Sequence, residues 1–307
     1  MATDSTPDWR AQLGDALAAP IDQPRLWLLG TLSFILRGGL IVLLLPIVVL
    51  PTQVEVRLLL GGNLGSSGFA PGFWVALGAA TIVSTGLVMA VLYALARIEA
   101  ASFGQLAQDP DLEVAAPVDP GARVRDLFVV ESLTLIALLL AAVPLAAALG
   151  QVTYDEVLRP SSTAPIYDRV LSQVMLPLAL LAIALPVVDS VSAAVVRRLL
   201  AGRSVGSAVS GAIGALVRRP VRFVATAAVA WLALAAAMLA TEAALTVAWN
   251  SARAAFLRTT SIADMLTSLA PLLVAVLLAG VFISGLVVCG YVAAFRNALW
   301  TITSVRR

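Results

Sequence analysis

Four ionisable residues stand inside otherwise apolar stretches, and any chemistry of this chain would begin with them: Arg37, Glu131, Asp189 and Glu242. A charge in hydrocarbon is costly, so each implies a partner, a water path or a role in moving a substrate or proton. Arg37 lies about 11 residues into the first apolar run, roughly 17 Å deep at ~1.5 Å per residue. Asp189 lies about 7 residues before the end of the fourth run, roughly 10 Å deep. A long arginine side chain covers that difference, so an Arg37–Asp189 pair is the sharpest expectation. Glu131, near the start of the third run, is the alternative partner for Arg37. Glu242, near the outer end of the fifth, is expected to reach headgroups or water. Arg37 and Asp189 line a substrate or proton path, or they form a buried pair that fixes helix register, with Arg37 snorkelling as a third option; the structural role is the plainer one. Gly38 and Gly39 beside Arg37 either loosen the helix or permit close packing.

Other chemistry is narrowed by what is missing. The sequence has no His, its 20 basic residues are all Arg, and Cys289 is its single cysteine. Histidine bases, histidine-ligated metals, lysine Schiff bases and a lysine phosphate loop are thereby removed. So are an intramolecular disulfide and a cysteine metal cluster. Gly202-Arg203-Ser204-Val205-Gly206 matches the G-x-S-x-G string of serine hydrolases. That string acts only on a strand-to-helix elbow with a histidine in reach, and neither is present in the sequence pattern. Paired carboxylates at helical spacing are absent from the apolar runs too. The expectation is a non-catalytic protein with no cofactor and no metal.

The elements that position these residues are membrane helices. The chain has 307 residues, 60% hydrophobic and 12% charged, with a mean hydropathy of +0.97. Globular proteins carry about 25% charged residues, and about 20 apolar residues cross a bilayer. The pattern predicts an all-α, polytopic bundle of six transmembrane helices, near 26–50, 73–96, 127–149, 170–196, 221–249 and 265–295. Pro177 and Pro186 should kink the fourth. Two short interfacial amphipathic helices are expected. One covers 9–18, with Trp9, Leu13, Ala16 and Leu17 on one face; the other covers 203–217, with Val205, Val209, Ile213 and Leu216 on one stripe. Gly86, Ala90 and Ala94 form a small-residue packing face on the second span. Residues 51–71 read as a Gly/Ser-rich loop, 108–122 as an acidic, proline-broken linker, 150–169 as a polar loop and 253–264 as a short loop. Trp27, Trp74, Trp249 and Trp300 fall near helix ends, as an aromatic belt requires.

Six spans put both termini on one side. Fourteen of the 20 arginines flank helix ends on that side, five lie on the other, and Arg37 is the remaining one. The positive-inside rule then places both termini in the cytoplasm. The N-terminus lacks the basic region of a cleaved signal. Alanine-, arginine- and valine-rich usage points to a bacterial cytoplasmic (inner) membrane. The basic residues mark topology, so no nucleic-acid partner is expected; membrane lipids are.

Residues 1–307 read as a single membrane domain. Within it Arg25, Arg125 and Arg222 mark helix starts, and Arg97, Arg197 and Arg296 mark hairpin ends about a hundred residues apart. Three hairpin repeats, 1–100, 101–200 and 201–307, explain this period; so does the plain regularity of six evenly built helices. Mitochondrial carriers also have three two-helix repeats, but here the nearest signature, PIDQPR at Pro20–Arg25, precedes the first span and does not recur. The starts QPRLW (Gln23–Trp27) and RRPVRF (Arg218–Phe223) and the closing AAFRNALWT (Ala293–Thr301) carry a resemblance at the level of architecture. The chain resembles the bacterial six-helix membrane-domain family, some members of which are fused to glycerophosphodiester phosphodiesterases. The resemblance covers most of the chain and implies a stand-alone membrane domain.

Two function classes follow. The first is a permease-like subunit of a transport system, working with a separate ATPase or other membrane subunits. The second is a scaffold or lipid-interacting subunit of a larger complex. If Arg37 and Asp189 pair, replacing both with neutral residues should be milder than replacing either, as measured by thermal unfolding in detergent; independent effects would reject the pair.

Overall fold

The computed structural model describes residues 9–47, 64–65, 68–112, 114, 120–158, 161, 166–257 and 269–305. The fold is all-α, and six of its helices are long and apolar enough to cross a membrane. The described helices are α1 (Trp9–Asp22), α2 (Pro24–Phe34), α3 (Leu40–Leu44), α4 (Pro71–Ala107), α5 (Val124–Leu158), α6 (Ile166–Gln173), α7 (Met175–Leu200), α8 (Val205–Arg218), α9 (Pro220–Leu257) and α10 (Leu269–Val305). The first span runs through α2 and α3, joined by a π-helical turn at Ile35–Gly39; the others are α4, α5, α7, α9 and α10. Beyond the helices, a minimal antiparallel pair joins Leu64–Gly65 to Gly68–Phe69. The rest of the 51–63 loop, Pro117 of the linker, the 258–264 loop and Arg57, Arg159, Arg258, Arg306 and Arg307 lie outside the described residues.

Proline sets most of the boundaries. Gln23 precedes Pro24 and Arg219 precedes Pro220, and a residue before proline is pushed out of the helical region. Arg219 accordingly has φ −133° and ψ 56°, which separates α8 from α9. Pro177 cannot accept a continuous helix through the carbonyl four residues earlier. The predicted fourth helix therefore breaks at Val174, which has φ −100° and ψ 10°, into α6 and α7. Pro186 sits inside α7 without interrupting it.

The long helices overrun their apolar windows. α4 has 37 residues and α9 has 38. At ~1.5 Å per residue each is about 55 Å long, against a hydrocarbon core of about 30 Å. The polar loop expected at 150–169 is largely helix among its described residues: α5 continues to Leu158. Glu156 then gathers the Ser161 backbone N–H at 3.0 Å, the Ser161 hydroxyl at 2.6 Å, Gln173 Nε2 at 2.7 Å and Arg169 Nε at 2.7 Å. That cluster ties the end of α5 to α6.

The helices form two compact units, interleaved along the chain and not divided at the hundred-residue period. The first draws on Met1–Leu26, Glu99–Ala233 and Phe295–Arg307. Its core is Phe103, Leu106, Leu127, Leu199, Leu200, Leu299 and Ile302, each 0–1% exposed. α1 belongs to this unit. Trp9 Nε1 reaches Thr226 at 3.3 Å and Arg222 reaches Gln12 at 2.6 Å. The expected apolar face of α1 is thus split: Ala16 is buried beside Gln12 and Ala19, while Leu17 is exposed. Trp300 is also buried, its ring 5.3 Å from Phe223, because α10 continues past it to Val305. It packs in the core and does not serve the aromatic belt.

The second unit draws on Trp27–Ile98 and Leu234–Ala294. Here α2 crosses α10 on glycine. A Cβ at Gly30 would strike the Gly290 carbonyl and the Ala294 backbone, and one at Gly290 would strike Thr31. Trp27 meets Tyr291 edge-on at 5.5 Å. Phe34, Leu43, Leu234, Ala237, Leu245 and Cys289 form the apolar cluster below this crossing. Gly86, singled out as a packing residue, has nothing within 4 Å among the described residues. Close helix approach in this unit uses Gly30 and Gly290. Gly30→Val should therefore lower stability by about 1–3 kcal/mol through overpacking, while Gly86→Val should leave the melting temperature unchanged. Equal effects in a thermal-shift assay would reject this account of the crossing.

Candidate functional site

Asp189 lies within α7, eleven residues before the end of the helix at Leu200. Its neighbours Ser190 and Ser192 are buried, and Ser192 Oγ lies 2.7 Å from the Thr134 hydroxyl of α5. Trp231 of α9 donates its indole N–H to Asp189 Oδ2 at 3.0 Å. Arg296 of α10 donates to the same oxygen through Nη2, and its guanidinium carbon lies 5.8 Å from the Trp231 ring centroid. Carboxylate, guanidinium and indole thus form one charge-assisted cluster in the first unit. Among the described residues, Arg296 Nε, Ser190 Oγ and Trp300 Nε1 are buried without a hydrogen-bond partner. Such orphan donors call for an acceptor, supplied by ordered water or by an anionic or carbonyl-bearing group.

A second buried pair was not legible as a pair. Arg197 of α7 meets Glu99 of α4 at 2.5 Å, with side-chain exposures of 2% and 3%. Arg197 Nε and Nη1 have no hydrogen-bond partner among the described residues. Two of the three hairpin-end arginines, Arg197 and Arg296, are thus neutralised in the interior. The third, Arg97, is exposed and lies 5.8 Å from the Tyr93 ring. The available signal is the acid two residues beyond Arg97, past the expected end of the second span at 96.

Arg37 belongs to the second unit and lies on the π-helical turn Ile35–Gly39. Gly38 there has φ +89°, so the first span is broken beside its charge. Gly39 faces the Phe34 ring so closely that a Cβ would collide with it. Both readings of this glycine pair hold, one at each residue. Arg37 is exposed, and its pairing with Asp189 stays an expectation. Glu131 is buried on α5 in the first unit. Glu242 is half-buried on α9 in the second, with Oε1 buried and without a hydrogen-bond partner among the described residues. Cys289 is fully buried, 4.0 Å from the Thr241 hydroxyl.

The G-x-S-x-G string turns out to be helix punctuation. Gly202 has φ +92°, and its N–H bonds to Leu199 O at 3.0 Å, while Arg203 N–H bonds to Arg198 O at 3.1 Å. This closes α7 with a left-handed glycine, and Ser204, at φ −69° and ψ 156°, opens α8 as its N-cap. Among the described residues no three His, Cys, Asp or Glu side chains gather as a metal site. Comparison with known proteins finds no matching family model, no matching curated protein and no matching solved structure.

Asp189→Asn keeps the shape of its side chain but leaves Arg296 facing a neutral group. Stability should fall by about 3–5 kcal/mol, the usual effect of breaking a buried pair. Asp189→Leu combined with Arg296→Met should recover most of that loss in thermal unfolding. An additive loss would show that Arg296 is not the cation Asp189 depends on.

Proposed function

We propose that the chain is a non-catalytic, permease-like subunit of a transport system in the inner membrane of a bacterium, with both termini in the cytoplasm. The observation that carries this reading is the break in the first span. Irregular backbone at membrane depth leaves peptide groups that lipid cannot satisfy, so it is kept where protein or a water-filled cavity surrounds it. Transporters place substrate groups at such interrupted helices, and Ile35–Gly39 presents Arg37, a fixed cation, at that point. The π-helical turn itself is a form enriched at functional sites. Arg37 suits an anionic substrate group, and the donor-rich cluster around Asp189 is a second polar station within the apolar stretches. The excess of arginine at helix ends on the side of the termini supports the orientation. The resemblance to the six-helix membrane-domain family supports a membrane domain.

The second reading, a scaffold or lipid-interacting subunit, draws on α4. Every residue from Trp74 to Ala90 is exposed, which leaves this span to lipid or to a partner helix.

A pull-down from native membranes in mild detergent, with mass spectrometry of bound proteins and lipids, separates the two. A stoichiometric nucleotide-binding ATPase is the result expected of a permease subunit, and Gly38→Ala should then reduce ATPase-coupled uptake more than it reduces complex formation. A different membrane complex without an ATPase, or lipid alone, would overturn the transport reading.

A further inference from the structure

α8 is a 14-residue helix between two spans, following α7 after Gly202 and preceding α9 at Pro220. At ~1.5 Å per residue it is about 21 Å long, too short to cross a bilayer. Consecutive spans run in opposite directions, so a short helix that joins their ends lies at the membrane face.

Its surface divides into three sectors. Ala208 and Ala212 are fully buried, and Gly211 lies against the Arg198 guanidinium; this sector packs on the protein. Ser207, Ser210 and Arg218 are exposed on the polar side. Between these sectors Val209, Ile213 and Val217 recur at four-residue steps and are 36%, 49% and 72% exposed. A helix surrounded by water on its free side has no reason to concentrate its large aliphatic residues there. The sequence reading placed Val205, Val209, Ile213 and Leu216 on one stripe; the structure turns Val209 and Ile213 outward and brings Val217 into line with them.

Charge names the occupant of that face. From Ser190 to Thr241 there is no acidic residue, while six arginines occur. Arg197 and Arg222 have partners inside the protein, but Arg203, Arg218 and Arg219, at the two ends of α8, are exposed. An apolar stripe flanked by exposed cations complements the acyl chains and anionic headgroups of one leaflet.

We propose that α8 is an anionic-lipid anchor, with Val209, Ile213 and Val217 among the acyl chains and Arg203, Arg218 and Arg219 on lipid phosphates. The choice of the cytoplasmic leaflet rests on the orientation proposed above; the lipid contact does not.

The test uses the full chain with Cys289→Ala and a bimane label at either Ile213→Cys or Ser207→Cys. The protein is reconstituted into phosphatidylcholine vesicles, with and without an equal amount of phosphatidylglycerol, containing nitroxide lipids labelled near the headgroup. Quenching at position 213 should exceed that at 207 by about twofold or more, as for a helix lying in the interface. The excess should grow with phosphatidylglycerol, and that growth should vanish in R203Q/R218Q/R219Q. Equal quenching at both positions, or indifference to phosphatidylglycerol, overturns the proposal. So does shielding of position 213 from both nitroxide lipid and aqueous iodide, which would mean that a second copy or another protein covers it. An impermeant maleimide applied to either side of sealed vesicles reports where Ser207→Cys lies. Labelling from the outer side would overturn the orientation and the leaflet, and would leave the quenching result to decide the lipid contact.

Discussion

A guanidinium withdrawn from water is tolerable only where a carboxylate meets it, and the first unit is arranged around two such meetings. Glu99–Arg197 joins α4 to α7, and Asp189–Arg296 joins α7 to α10, with Trp231 of α9 closing the second. Within the first unit three of the six spans are therefore indexed against one another by charge, and Trp231 adds α9 through a neutral donor. Apolar contacts cannot supply this, because side chains such as Leu and Val pack about equally well after a helix slides by one turn. An ion pair has one register, and losing it strands a charge, which is far more costly than a shifted methyl group. Helices in lipid lack a hydrophobic drive to associate, so polar contacts and close packing decide how they meet.

The second unit solves the same problem sterically. Gly30 and Gly290 let α2 and α10 approach until backbone meets backbone, and Gly285 accepts the Thr241 side chain in the same way. The crossing leaves no room for a Cβ, so register is again unique. Only at the Ile35–Gly39 turn does this span depart from regular helix. Gly38 adopts a left-handed conformation that an L-residue would enter at about 1–2 kcal/mol.

Much of the fold was legible because lipid leaves few choices: an apolar run of sufficient length must be helical. The six spans follow from that constraint. What escaped notice needed information beyond the local pattern. Helix ends were placed where hydropathy falls, yet α4 and α10 continue in polar sequence because their extensions bury Phe103, Leu106, Leu299 and Ile302. Those extensions carry Glu99 and Trp300 into the interior, the first beyond the expected end of its span and the second at a position expected in the belt. Arg296 was read as a topology marker, since a helix-end arginine ordinarily sits at the headgroups. Depth along single helices could not name Arg296 as a partner of Asp189, because it does not show that α10 continues past Arg296 and brings its side chain to α7. Gly202 and Ser204 show the reverse case: the string looked chemical, and its spacing is explained by ending one helix and starting the next.

The bare second span bears on the choice between transporter and scaffold. Only 6% of the apolar window of α4 is buried, against 33% for α7. In water such exposure would demand a partner; in lipid it does not, because acyl chains solvate Leu and Val as well as another helix would. A polar group left over on the exposed face would be a stronger argument. α4 offers little, since the Thr81 hydroxyl returns to Leu77 O and the Thr85 hydroxyl to Thr81 O, each at 2.8 Å. The helix satisfies those donors by itself and can stand in lipid unaccompanied. The break at Gly38 is different, because interrupted backbone has to be satisfied by something other than hydrocarbon. The exposed span permits a scaffold without requiring one, whereas the broken span calls for protein or water around it at membrane depth, and that difference is the ground on which transport is proposed.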